Sequence, residues 1–451
     1  MAVCIGSYWI GAVTTANCLR FDGSRIDFGD ESKIGTLAPL ASATELRFSF
    51  LEESRWIVRR IYLDHASTSW PKAPAVIDAM TNFMHENGAS ASRGNYANAR
   101  RATAIRERVR HRLADCISAE SPECISFHSG CTAALNAAIH GLLAAMVSPS
   151  KNTVGHHLIA SAVEHNSVLR PLTAAAASAD MNLEIIGCQP SGRVQVDAIV
   201  NAITDHTRLI ALTDISNVTG IRQPVTELGQ IIAACNATRA AEDHIILLCD
   251  AAQSFGYLPI DVSAMGVHVL AAPAHKGSGG PLGIAMLYLH RSLHDRIEPM
   301  MQGGSGHDGL ADAMPSTMPA RLEPGTMNIA ALAGWNAALD RTAADDFVGL
   351  THHLHDTLNS IDGLRVVGER GDLPIASVEF GDALTCSEAA AILDSEFGIE
   401  VRSGYHCAAR LHDYLGTRQS GTLRISCGHG TTRNEIDSLA VALGEIIESI
   451  A

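Results

Sequence analysis

From residue 61 onward, short apolar runs alternate with longer stretches in which apolar residues recur every three or four positions. The runs at 61–63, 124–127, His157–Ser161, 184–187, 209–213, 245–250, 267–271 and 284–288 are bounded by turn residues. They predict buried strands. Between them, 74–85 and 100–117 carry helical spacing, and a further helix begins at Gly130-Cys131-Thr132. This alternation predicts an α/β fold with a mostly parallel sheet covered by helices on both faces. The helical pattern over 328–344 is long enough to bridge two domains. Beyond it, strands at 375–380, 398–402 and 421–426, a helix at 387–397 and a final helix from Thr432 predict a smaller α+β unit. The expected organisation is therefore a large domain over 60–335 and a small C-terminal domain over 336–451. Residues 1–59 hold no sustained period of either kind and read as a poorly ordered extension with no assigned function.

Composition narrows the class. A chain of 451 residues has room for two sizeable cores, and 47% apolar with 18% charged residues describes an ordinary globular protein. A formal charge of −15 argues against nucleic acid or an anionic membrane as partner. No apolar run approaches the ~18 residues needed to cross a bilayer. The stretch 4–13 lacks the basic segment of a secretory signal. The eleven cysteines are odd in number and lack CxxC spacing, which points to a reduced, cytoplasmic protein with thiols packed as small core residues.

Two predicted strands end in charged residues. The run 245–250 closes on Asp250, followed by Ala251-Ala252-Gln253, and the run from Val267 leads through His275 to Lys276 and a glycine-rich turn. Open parallel sheets bind ligands at the carboxyl ends of their strands. A lysine beside a carboxylate there suits an imine-forming cofactor, with Asp250 facing a protonated ring nitrogen. That predicts an enzyme dependent on pyridoxal 5′-phosphate. Singly, Asp250 is also a helix N-cap and Lys276 a solvated turn. Their order, with Gln253 and His275 alongside, favours the cofactor. The glycines follow the lysine, so this is not a P-loop.

Other residues gather at strand ends. The helix start at Cys131 and Thr132 suits a phosphate, with capping by Ser129 or Thr132 as the competing account. His165 is placed to stack on a cofactor ring and move protons. Asn217 is placed to hydrogen-bond substrate or cofactor, or simply to make a turn. Arg424 is a lone charge in a strand, awaiting either a substrate carboxylate or a salt bridge. In Arg402-Ser403-Gly404-Tyr405-His406-Cys407-Ala408 the glycine suggests a mobile loop presenting the Cys407 thiol, with adjacent cations favouring the thiolate. His352, His353 and His355 read as a solvated helix face. No metal site is expected, because His406, Cys407 and His412 match no standard zinc spacing.

Together, Tyr62-Leu63-Asp64, Glu164-His165-Asn166-Ser167, Ser216-Asn217-Val218, Asp250-Ala251-Ala252-Gln253, His275-Lys276, Glu323-Pro324-Gly325-Thr326 and the Arg402–Ala408 segment make the chain resemble the class V aminotransferase-like enzymes of PLP fold type I. Within them it is similar to the cysteine desulfurases of the short-loop, group II type. The resemblance runs from about Ile61 to the C-terminus. It implies that Lys276 carries the cofactor and shuttles the Cα proton, that Asp250 keeps the pyridine nitrogen protonated, and that Gln253 bonds the ring oxygen. His165 would stack on the ring. Cys131, Thr132 and His275 would lie around the phosphate, with Thr326 arriving from the second subunit of a homodimer. Asn217 and Arg424 would bind the substrate carboxylate. Cys407 would take the substrate sulfur as a persulfide, release alanine and pass the sulfur to an acceptor protein, as in iron–sulfur cluster assembly. A selenocysteine lyase, or another class V lyase or aminotransferase, is the alternative; a non-catalytic sulfur-transfer scaffold would need neither Lys276 nor Cys407. Three departures from the family pattern, Pro273, His65 and Tyr96, are expected near the substrate side.

Overall fold

The computed structural model describes residues 60–147, 156–306, 310–340, 346–381 and 384–450, together with two short strands, β1 (Arg20–Asp22) and β2 (Arg25–Asp27), which pair antiparallel. The chain divides into two units, Met1–Val58 and Arg59–Ala451. Apart from β1 and β2, residues 1–59, on which the expectation of low order falls, lie outside the described residues.

The second unit begins with β3 (Ile61–Tyr62) and is dominated by a seven-stranded sheet. Its strands are β4 (Ile125–His128), β5 (His157–Ser161), β6 (Asn182–Ile186), β7 (Thr207–Ala211), β8 (Ile246–Asp250), β9 (Val269–Pro273) and β10 (Ala285–Leu289), in the order β4-β10-β9-β8-β7-β5-β6. Only β10 runs antiparallel to its neighbours. Successive residues of a strand face opposite sides. Leu247 and Cys249 accordingly join one apolar cluster while Ile246 and Leu248 join another, one on each side of the sheet. A sheet covered on both sides needs unbroken apolar strands, which is why these segments show as runs and not as alternation.

A second sheet is antiparallel throughout and smaller. It consists of β11 (Arg365–Val367), β12 (Ile375–Glu379), β14 (Arg402–Gly404) and β15 (Thr422–Ser426), ordered β11-β12-β15-β14. The predicted strand at 398–402 is divided: β13 (Ile399–Glu400) pairs in parallel with β3, and β14 joins the small sheet. Leu63, just after β3, is fully buried in the core of this smaller layer with Leu354 and Ile425. The first residues of the body thus pack with its C-terminal part.

Two expectations are corrected. The helix predicted over 328–344 spans only Ile329–Ala338, with Asn328 capping its start through a bond from Ala331 N and Leu339 at its end. It does not run through to a second domain. His355 is not on a solvated face: it is 2% exposed, and burial pushes its imidazole down to about 4. Leu350, Leu354 and Leu358 recur every four residues, and with Thr351 they form the buried face that His355 shares.

One buried ion pair ties the fold to a loop of interest. Arg110 forms a two-pronged contact with Glu323 at 2.9 and 3.0 Å, and Glu323 also accepts from Phe127 N at 2.8 Å. Both side chains are almost wholly buried. Removing one partner of such a pair costs about 3 kcal/mol or more, because the other charge is left without water or counterion. The pair anchors the start of Glu323-Pro324-Gly325-Thr326 against the β4 edge.

Candidate active site

The carboxyl ends of β4, β5, β7, β8 and β9 converge on a cavity of about 300 Å³. Cys131, Thr132, His165, Asn217, Asp250, Gln253, His275, Lys276 and Arg424 all line it. Residues from Cys131 to Lys276 share one wall because parallel strands present their carboxyl ends on the same edge, and Arg424 reaches the same cavity from β15 of the smaller sheet.

Asp250 closes β8, is 4% exposed, and accepts from Ala252 N at 2.9 Å. Lys276 follows β9 after a two-residue step. Loss of water lowers its ammonium below the ordinary lysine range, against the opposing pull of Asp250. The loops carrying them approach closely. A Cβ on Gly256 would lie 2.2 Å from Ser278 N, and one on Gly277 2.4 Å from Phe255 O, so only glycine fits at either place. Ser278 Oγ donates to Ala274 O at 2.7 Å and accepts from buried Trp335 Nε1 at 3.0 Å. The His275 carbonyl accepts from Ser69 N at 2.8 Å and from Lys72 Nζ at 2.9 Å. Few features of the site are as tightly held as this lysine loop, and nothing in the sequence singled out residues 68–72 as its clamp.

The helix Cys131–Met146 starts at Gly130 in extended backbone with no side-chain cap. Capping by Ser129 or Thr132 is therefore absent; Thr132 Oγ1 instead meets Ser167 Oγ at 2.7 Å. The first N–H groups of that helix remain available to an anion. His165 caps the helix Asn166–Ser178, its Nδ1 accepting from Ser167 N at 3.0 Å, and burial holds its imidazole below the usual range. Cys131 Sγ lies 3.9 Å from Asp250 Oδ1, and burial drives this thiol far up, so it stays protonated.

Arg424 on β15 is 1% exposed and carries the salt bridge that competed with a substrate role: Nη2 reaches Asp64 Oδ1 at 2.5 Å. Its Nη1 donates to Asn217 O at 3.1 Å, while Nε has no partner among the described residues. Arg402, which the sequence marked only as the start of a motif, lines the same cavity. It lies directly opposite Arg424 across the β14–β15 pair.

Cys407 does not line the cavity itself; it follows His406 and lies beside Arg402, both of which do, and so stands at the rim. His406 and Cys407 both adopt left-handed backbone, with φ of 48° and 59°. Non-glycine residues pay for that conformation, and it persists where surroundings impose it. Here Asn217 Nδ2 donates to His406 O at 2.6 Å and Asn166 N to Cys407 O at 2.7 Å. The expected mobile loop is thus pinned by its carbonyls in this structure. The structure also identifies the expected cationic neighbour. Burial pushes His406 down to about 2, so it is neutral, and the cation beside the thiol is Arg402, whose Nη2 lies 3.9 Å from Cys407 Sγ.

Thr326 does not line this cavity. It borders a separate one of about 230 Å³ with Ser129 and Gly283. Of the three departures, Pro273 forms part of the wall. His65 and Tyr96 do not line it: His65 is buried against Gly428, and Tyr96 is 57% exposed.

Glu164 lies beneath the site with no exposure. Its Oε1 accepts from Ser161 Oγ at 2.6 Å and Thr213 N at 2.8 Å, while Oε2 has no partner among the described residues. Burial pushes its carboxyl up to about 8. A group raised on folding binds more protons folded than unfolded between its two pKa values, and its contribution is lost as pH rises through that window. Glu164→Gln is expected to gain stability relative to the wild type steadily between about pH 5 and 8. Denaturation midpoints of the two proteins across that range test this; a constant gap would show Glu164 ionised when folded.

The family model described as aminotransferase class V matches residues 61–439. A probable cysteine desulfurase of Methanothermobacter thermautotrophicus is 33% identical over 405 residues, covering 87% of this chain and 94% of the relative. A cysteine desulfurase of Escherichia coli is 30% identical over 395 residues, 85% of this chain and 93% of that one. Among solved structures, an Escherichia coli cysteine desulfurase in an S-sulfonic acid form superposes with a TM-score of 0.76 at 26% identity, over 92% of this chain and 100% of its own. By sequence and by fold the chain belongs to the class V aminotransferase family, in the company of its cysteine desulfurases.

Proposed function

We propose that the protein is a pyridoxal-phosphate-dependent cysteine desulfurase that converts L-cysteine to L-alanine and holds the sulfur as a persulfide on Cys407. The observation that carries this reading is the thiol of Cys407, beside a guanidinium, at the rim of the cavity that buries Lys276 with Asp250. Transamination, the other reaction open to this family, has no need of that thiol.

The residues present fit the cofactor. The uncapped helix at Gly130 offers N–H donors to a phosphate, Asp250 a carboxylate to a ring N–H, Lys276 an amine of lowered basicity, and buried Gln253 Oε1 and His275 Nδ1 have no hydrogen-bond partner among the described residues. Pro273, at the end of β9, supplies no hydroxyl to the phosphate. When bound, the cofactor supplies a sink for the electrons released at the substrate Cα.

The chain's own residues do the rest. Lys276 Nζ, whose ammonium is disfavoured by burial, moves the Cα proton. His165, which lines the cavity, would cover the cofactor ring. Arg424 and Asn217 hold the α-carboxylate, exchanging some of their present partners for it. The Cys407 thiolate, steadied by Arg402, attacks the substrate sulfur: an S–S bond forms, the Cβ–S bond breaks, and the three-carbon product takes up a proton and leaves as alanine. An acceptor protein with its own thiol then takes the outer sulfur from the rim.

After incubation with L-cysteine without added reductant, mass spectrometry is expected to find one sulfur atom added at Cys407 and alanine released in equal amount. Persulfide on another cysteine, or alanine without persulfide, would overturn the assignment, and turnover confined to selenocysteine would move it to a lyase. Thr326, which does not line the cavity of its own chain, supports a homodimer in which it completes the partner subunit's phosphate site. Sedimentation of the cofactor-loaded protein is expected to give twice the chain mass, and an active monomer would refute this.

A further inference from the structure

Arg402 and Arg424 are direct cross-strand neighbours on β14 and β15. Side chains at such positions share one face with Cβ atoms about 5 Å apart, and like charges placed there repel. Both residues line the cavity, and Arg424 is almost wholly buried, so water does little to screen its charge from half-buried Arg402. An arrangement this unfavourable requires something that holds it.

Ser67 does. Its Oγ accepts from Arg402 Nη1 at 3.0 Å and from Arg424 Nη2 at 2.9 Å, and it too lines the cavity. A hydroxyl has two acceptor sites and one donor. Both acceptor sites are taken by the two cations, which leaves the O–H as a donor. Asp64 balances one of the two charges, by its 2.5 Å contact with Arg424, but makes no contact with Arg402. The two arginines have different neighbours on their far sides. Arg424 touches Asn217 O, and Arg402 touches the Cys407 thiol. The Ser67 oxygen is the bridge between the side of the cavity given to the carboxylate and the side given to sulfur.

We propose that Ser67 is a positioning residue that holds Arg402 and Arg424 side by side, so that one hydroxyl sets both the affinity for the amino-acid carboxylate and the reactivity of Cys407. This rests on the carboxylate role given to Arg424 above. Without the oxygen, Arg402 loses its fixed acceptor and the two cations lose the lone pairs between them. Arg402 then turns away from Cys407, and Arg424 settles further onto Asp64, away from an incoming carboxylate. Neither consequence requires any change in the Lys276 loop, which is held by other contacts.

The test uses the cofactor-loaded enzyme with Ser67→Ala and Ser67→Thr. Binding is read from the concentration of L-alanine that half-saturates the change in cofactor absorbance, and thiol reactivity from the rate at which iodoacetamide alkylates Cys407 without substrate. Ser67→Ala is expected to weaken L-alanine binding about tenfold, the loss of a hydrogen bond to a charged group, and to slow alkylation of Cys407 severalfold at neutral pH. Cofactor content should be unchanged, and Ser67→Thr, which keeps the hydroxyl, should return both quantities towards the wild type. If alanine binding or alkylation stays at the wild-type value in Ser67→Ala, the coupling is refuted. Loss of cofactor from Ser67→Ala, or a threonine variant as impaired as the alanine one, would equally overturn it, since the hydroxyl would then be serving the fold. Neither readout depends on sulfur release. A wild-type protein that binds alanine but frees no sulfur from cysteine would remove the desulfurase reading and leave the Ser67 proposal standing.

Discussion

Lys276→Ala is expected to abolish covalent capture of pyridoxal phosphate and to lower cysteine turnover by about 10³-fold or more, the scale of a missing acid–base group. The amine lies among buried neighbours, where loss of water lowers its proton affinity and makes it available as nucleophile and base. Among the described residues no second lysine lines the cavity to replace it. The fold should survive, because the loop is held by the Gly256–Gly277 approach, by Ser278 and by the grip on the His275 carbonyl. Absorbance of the dialysed protein and the mass of the borohydride-reduced protein measure capture directly. An adduct of unchanged yield would show that another residue carries the cofactor.

Cys407→Ser is expected to keep the cofactor and still bind L-cysteine, yet to lose alanine and sulfide release by on the order of 10³-fold or more. Serine differs from cysteine by one atom, so the left-handed backbone at 406–407 and its carbonyl contacts to Asn217 and Asn166 can be retained. What is lost is the nucleophilic sulfur beside Arg402, and a serine hydroxyl is a far poorer acceptor for the substrate sulfur. The lesion should therefore fall on the sulfur step and leave binding intact. In the wild type, Cys407 should also be alkylated well before Cys124, Cys249, Cys386 and Cys427, which are buried and whose thiols burial pushes up. A serine variant that turned cysteine over at the wild-type rate would make the thiol incidental and leave a generic lyase.

Much of the site was legible because each of its parts is a local pattern. A buried parallel strand must be an apolar run, so a charged residue that closes one is visible in the chain, and Asp250 and Lys276 stood out on that ground. The runs ended within about two residues of the observed strands, the usual limit where tertiary contacts set the last turn. What periodicity could not supply was where the pattern stops. The apolar spacing of 328–344 passes through Leu339 without a break, yet the helix ends at Ala338. His355 sits in a polar-looking helix but on its buried face, because a neighbouring element covers it.

By itself, then, the sequence determined the alternation of strands and helices, the mostly parallel sheet, the lysine–carboxylate pair at its edge and the candidate thiol, all of which follow from spacing and side-chain chemistry within a few residues. Only the tertiary structure decided how distant segments meet. It set Asp64 on Arg424, gripped the His275 carbonyl with residues 68–72, and pinned the Cys407 loop through Asn166 and Asn217. It also set Arg402 against Arg424 with Ser67 between them. Those contacts span from 22 to 360 positions along the chain. Their energies depend on burial and on strand register, which no local stretch of residues records.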